Sequence, residues 1–276
     1  MAQLIKLQDY ISRYEVDMFK YPSQFIRLKK EHYDKIFDEW QKELEHASFE
    51  EGDIILSLPT NELELKQKFL NNIFPFQLKW ASSTISEVSF LDKAYEADER
   101  LKYYLQRFPD TYLLMYEPIF KLKQAVIDGE VIIITPFEIM CITELNAEES
   151  THFQPIDDRK WIKKQGGKET TIVSPIIGLN RMTKTIQSIL NYHNIEFPIK
   201  KVVLAKHHTI SDVYEPYNTE IIDQLKYEKW FNQLRKTSHS LKFRQLKASE
   251  ALLNHTQKTF IKRPEWHDDD VDMTIE

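Results

Sequence analysis

The sequence predicts an α/β fold: a small central mixed β-sheet flanked by helices, with helical extensions at the N- and C-terminal ends. Three observations predict it. The run Val131–Asn146, VIIITPFEIMCITELN, reads as two buried strands, Val131–Thr135 and Ile139–Leu145, joined by a tight turn. Two more strand candidates flank it, Thr111–Tyr116 and Lys200–Ala205. Apolar residues at helical spacing fill both ends of the chain.

Taken in order, Leu4, Leu7, Tyr10, Ile11 and Tyr14 follow helical spacing and predict a first helix. Pro22 interrupts it, and Phe25–Trp40 reads as a second, aromatic-rich amphipathic helix. Asn61 caps a short helix through Phe69, which Phe74-Pro75-Phe76 ends. Gln77–Thr84 alternates like a strand. A helix is expected over residues 89–108, with Ser89 and Asp92 as a capping pair and Pro109 as its stop. Residues 146–173 are polar, with a turn at Gly166-Gly167. Ile176–Tyr192 is helical, and the stretch from Glu220 to about Lys258 is expected to be helical again. The implied organisation is a helical extension over 1–88, an α/β core over 89–206, a second helical extension over 207–263 and an acidic, disordered tail over 264–276.

Composition narrows the class. The chain has 276 residues and 42% hydrophobic content, enough for a sizeable core. A single cysteine, Cys141, excludes an internal disulfide and a multi-cysteine zinc site. No apolar run reaches the roughly 18–20 residues of a membrane span, and the first residues lack a signal-peptide layout. The expectation is a cytoplasmic protein with no membrane partner. Net charge is -6, which discourages nucleic acid as a ligand. Six acids, Glu265, Asp268, Asp269, Asp270, Asp272 and Glu276, sit in the tail, and without them the body is near neutral. Basic clusters then stand out at Arg27–Lys30, Lys160–Lys164, Lys200–Lys201 and Arg235–Lys247. They suit solvated faces first and a phosphate-tracking surface second.

The order of motifs resembles the NERD (nuclease-related) domain of the PD-(D/E)XK nuclease-like superfamily. The resemblance covers residues 90–206. It rests on a helix with an acidic start, a strand, an acid entering a strand, a turn, and a second strand. Trp161, the Gly166-Gly167 turn, Ser174-Pro175 and a last strand follow. It implies a restriction-endonuclease-like core. In relatives that cut, an acid at the strand start and the Glu of an E-x-K strand hold a divalent metal, and the Lys acts on the attacking water. Carried over, Glu99 takes the helix acid, Glu130 the strand acid, Thr143 the metal-binding Glu, Leu145 the Lys, and Gly178 a position often held by Gln. Thr is a weak neutral ligand and Leu carries no donor. The resemblance therefore implies a nuclease scaffold with a degraded motif, no cofactor, and a role in binding nucleic acid or a protein partner.

Two alternatives stay open. One is a diverged magnesium- or manganese-dependent nuclease rebuilt from Glu99, Asp128, Glu130 and Glu144, with Glu130 and Glu144 on the metal. Strand alternation makes this a question of register, because a one-residue slip moves a side chain to the opposite face. The other is an assembly protein that dimerises through its aromatic helices. Lys160, Lys163, Lys164, Lys200 and Lys201 are the candidate nucleic-acid contacts. Cys141 reads as a buried, inert thiol, His207-His208 as a pair without metal, and Gly166–Thr170 as a turn rather than a phosphate loop.

Overall fold

Two runs of four strand positions, Val131–Ile134 and Ile139–Ile142, are apolar and buried throughout, which places them in the middle of a sheet covered on both faces. The computed structural model describes residues 1–47, 58–122, 125–148, 150–211, 215–236 and 239–263. The expected acidic tail lies outside the described residues.

The central sheet has six strands: β1 (Gln3–Leu7), β3 (Leu113–Tyr116), β6 (Val131–Ile134), β7 (Ile139–Glu144), β11 (Ile199–Ala205) and β13 (Thr219–Asp223), in that spatial order. β3, β6 and β7 are antiparallel neighbours, whereas β1 on β3 and β7–β11–β13 are parallel. The sheet is therefore mixed, as the sequence predicts. Helix α3 (Glu99–Arg107) and α5 (Gln224–Lys236) share one face, where Tyr103 and Phe231 stack at 6.3 Å and the Tyr103 and Tyr227 hydroxyls lie 2.8 Å apart. α4 (Pro175–Tyr192) lies on the other face and meets α6 (Phe243–Asn254), where His193 Nε2 and His255 Nε2 are 3.0 Å apart.

Several local expectations are corrected. Leu4–Tyr14 is not a helix: Gln3–Leu7 is a fully buried strand, and its Leu4/Leu7 spacing matches a helix only by coincidence. Short apolar runs carry this ambiguity. Pro22 starts rather than interrupts, since it is the second residue of α1 (Tyr21–Ala47), where its missing N–H is no loss. α2 (Glu62–Trp80) continues through Pro75 and absorbs the expected strand at Gln77. Pro75 faces solvent, while Phe74, Leu78 and Trp80 bury an apolar stripe that offsets a proline cost of about 3 kcal/mol. Gln77 is buried on that stripe and accepts from Leu4 N at 2.8 Å while donating to Ala2 O at 2.7 Å. It thereby satisfies the outer edge of β1.

The middle helix starts late. Residues 93–97 form a 3-10 turn, and Asp98 caps α3 by accepting from Leu101 N at 2.9 Å. Ser89 instead ties loops together, accepting from Ile11 N and donating to Thr259 O. A short strand, β2 (Glu87–Val88), pairs with β14 (Ile261–Lys262). The polar stretch after β7 holds a second sheet, β10–β9–β8–β12, made of β8 (His152–Pro155), β9 (Lys160–Gln165), β10 (Lys168–Val173) and β12 (Thr209–Ile210). Gly166 and Gly167, at φ 54° and 77°, form its tight hairpin turn. An extra hairpin, β4 (Ile119–Leu122) with β5 (Ala125–Asp128), leads into β6. The expected long C-terminal helix opens with β13 and is split into α5 and α6.

Candidate functional site

Val131 pairs with Ile142 in the antiparallel β6–β7 ladder, so the next step sets Glu130 opposite Thr143. Both face α4. Glu130 Oε1 stands 3.8 Å from where a Cβ on Gly178 would sit, and Glu130 N approaches Met182 Sδ at 3.5 Å. Three motif positions, Glu130, Thr143 and Gly178, thus converge at one mouth of the sheet. Burial pushes the Glu130 carboxyl up from its ordinary range, while Thr143, Arg100 and Arg181 pull the other way. Thr143 Oγ1 is buried and makes no aligned hydrogen bond among the described residues. Leu145 is half-buried, packs on the core and binds β11 through Leu145 N to Leu204 O.

Glu144 has the opposite parity on β7 and projects from the α3 face. Its side chain is 1% exposed. Arg100 Nε donates to Oε2 at 2.9 Å, and Lys206 Nζ lies 2.9 Å from Oε1. Arg100 also reaches Glu117 at 3.2 Å and covers the Tyr116 ring at 5.5 Å. Lys206 sits 4.3 Å above the Tyr103 ring. The acid is therefore a buried counter-ion between two cations. Sequence alone gave no sign of Arg100 or Lys206 as its partners. Strand parity did separate Glu144 from Thr143.

The other candidate acids lie elsewhere. The Glu99 side chain is 84% exposed and pairs with Lys102 at 2.8 Å. Asp128 is exposed at the end of the β4–β5 hairpin, opposite Ile119. Glu99, Asp128, Glu130 and Glu144 do not assemble, and no group of three or more His, Cys, Asp or Glu that could hold a metal occurs among the described residues. A hard divalent ion takes several oxygen ligands converging at about 2.0–2.6 Å. One carboxylate beside a threonine hydroxyl does not fit it.

The candidate lysines divide. Lys160, Lys163 and Lys164 share β9, where Lys164 pairs with Glu169 at 3.1 Å across the hairpin. Lys200 is held by Glu220 at 3.0 Å and Glu138 at 3.6 Å, and Lys201 donates to Asn180 at 2.9 Å. Lys160 and Lys163 make no ion pair among the described residues. Trp161 between them is 1% exposed, so it anchors the second sheet rather than offering a stacking face. Cys141 is buried, and burial pushes its thiol up to about 12. His208 is buried against Phe153, which holds its imidazole below its ordinary range. A polar group not singled out in the sequence is His152, whose ring nitrogens meet Thr209 Oγ1 at 2.8 Å and Ser211 Oγ at 2.9 Å.

No family model matches the chain, and no solved structure matches it. A stretch of 43 residues is 49% identical to an RNA 2',3'-cyclic phosphodiesterase of Geobacillus stearothermophilus. That stretch is 16% of this chain and spans 14% of the length of that relative.

Proposed function

We propose that this chain is a NERD-like protein that binds its partner without cutting it. The series of α3, then β3, β6 and β7 of the central sheet, then α4 and β11 supports the scaffold part of that reading. One observation carries the functional part: the second acid a metal site would need, Glu144, is bound by Arg100 and Lys206 on the face opposite Glu130. The remaining pair, Glu130 with Thr143 beside Gly178, is a recognition surface rather than a metal centre.

Nucleic acid is the favoured partner class. Lys160 and Lys163 make no ion pair among the described residues and point to opposite faces of β9, and a phosphate contact from either one supplies affinity that falls with salt. The short likeness to a protein named for RNA 2',3'-cyclic phosphates makes RNA with such an end one substrate to include. Fluorescence anisotropy with labelled RNA and DNA tests the reading. Salt-sensitive binding that weakens in one of the two single variants, Lys160→Ala or Lys163→Ala, is expected, and the variant that weakens it identifies the face. Binding that ignores both substitutions moves the surface elsewhere and refutes this assignment.

A further inference from the structure

A cavity of about 470 Å³ lies between α1, α2, the end of α3 and the end of α5, and its lining includes neither Glu130 nor Thr143. Its rim carries five cations, Lys29, Lys30, Lys66, Arg107 and Arg235, against a single acid, Asp110. Lys29 is tied to Asp110. The other four have no ion pair among the described residues, and all four are exposed at the rim. Arg235 lies over the Phe231 ring at 5.4 Å, which leaves Lys30, Lys66 and Arg107 without an ion-pair or ring partner among the described residues, in a chain of net charge -6. Lys66 and Arg235 act on one common group, against Asp110. The Met1 ammonium in the wall is pushed down to about 5, by burial first, then by Lys29, with Lys66 and Arg235 adding to it.

Bland explanations do not account for the arrangement. Like charges repel, and four helical segments bring these side chains to one opening at an electrostatic cost. Solvated lysines would sit as well pointing apart. The floor is apolar and aromatic: Phe69 and Phe108 are buried, and Tyr33 meets Phe69 edge-on at 5.0 Å. An apolar floor with convergent charged groups at the mouth is the make-up of a small-molecule site, and the volume falls within the roughly 300–1,000 Å³ such sites occupy. Arginine and lysine together at a rim suit phosphate oxygens.

We propose that this cavity binds a nucleotide carrying two or more phosphates, with the phosphates against Lys30, Lys66, Arg107 and Arg235 and the base against Tyr33, which Phe69 backs from below. The site is independent of the Glu130–Thr143 surface and stands whether or not that surface binds nucleic acid. Lys29 is a positioning residue, held by Asp110.

Calorimetric titration of the full chain with ATP, tripolyphosphate, AMP and adenosine tests it. ATP should bind saturably, tripolyphosphate more weakly, AMP more weakly than ATP, and adenosine not at all at concentrations up to about 1 mM. Lys66→Ala with Arg235→Ala should lower ATP affinity at least about tenfold, because each removes a charge-assisted hydrogen bond. Both residues are exposed and their removal relieves like-charge repulsion, so the thermal midpoint without ligand should not fall. Absence of saturable ATP binding overturns the proposal. So does equal binding of ATP by the double variant, or a ten-nucleotide single strand that binds this double variant and the parent differently while ATP does not.

Discussion

Replacing Glu144 by Gln tests the buried ion cluster, because it keeps the shape and removes the charge. The acid is 1% exposed, while Arg100 and Lys206 keep 26% and 19% of their side-chain surface. Removing one partner of a fully buried pair costs about 3–5 kcal/mol, whereas a surface pair is worth about 0–1 kcal/mol. This cluster lies between those limits. Arg100 keeps Glu117 at 3.2 Å and Lys206 keeps the Tyr103 ring, which moves the expectation down. We expect Glu144→Gln to lose about 2–3 kcal/mol. For a chain of this length that is a thermal midpoint lower by roughly 4–10 °C. Thermal melts followed by circular dichroism, with urea unfolding as a check, read this directly. Unchanged or higher stability would refute the reasoning, because a metal ligand without cationic partners gains stability when its charge is removed.

Three further outcomes are expected. Glu130 has a carboxyl raised by burial, so the native state holds its proton more tightly than the unfolded chain. Stability contributed by Glu130 is then full at acid pH and falls as pH rises from the ordinary glutamate value, 4.5, through the raised one. Urea unfolding from acid to neutral pH should show that fall, and Glu130→Gln should flatten it and be the more stable form at pH 7; a steeper slope in the variant contradicts the burial argument. Gln77→Ala should cost about 2–4 kcal/mol, because Leu4 N is left buried without an acceptor and a cavity forms; a loss under about 0.5 kcal/mol means water replaces the amide. Cys141 should resist a thiol reagent in the folded chain and react fully in denaturant, since its thiol is buried and raised to about 12; rapid native labelling argues against a closed sheet.

The parts of the fold that could be read from the sequence are those where periodicity and burial agree. β6, β7 and α4 have long, clean patterns and stand where the sequence puts them. Leu4–Leu7 failed because five buried residues in a strand leave no polar alternation to read. Pro75 misled because its position on the solvent face is set by the packing of Phe74 and Leu78, not by local preference. The second sheet was hidden because β9 and β10 are short, half-exposed and rich in Lys and Thr. At the site, parity alone separates Glu144 from Thr143. Arg100 and Lys206 come from 44 and 62 positions away along the chain, so no local pattern announces the cluster. The rim of the cavity is assembled the same way, from four helices.

The role proposed for the Glu130–Thr143 surface is binding without cutting. Its most direct test is incubation of single- and double-stranded RNA and DNA, and of RNA with a 2',3'-cyclic end, with magnesium or manganese. The account predicts no product from the parent chain and none from Glu130→Ala. Metal-dependent cleavage by the parent that is lost in Glu130→Ala would contradict it.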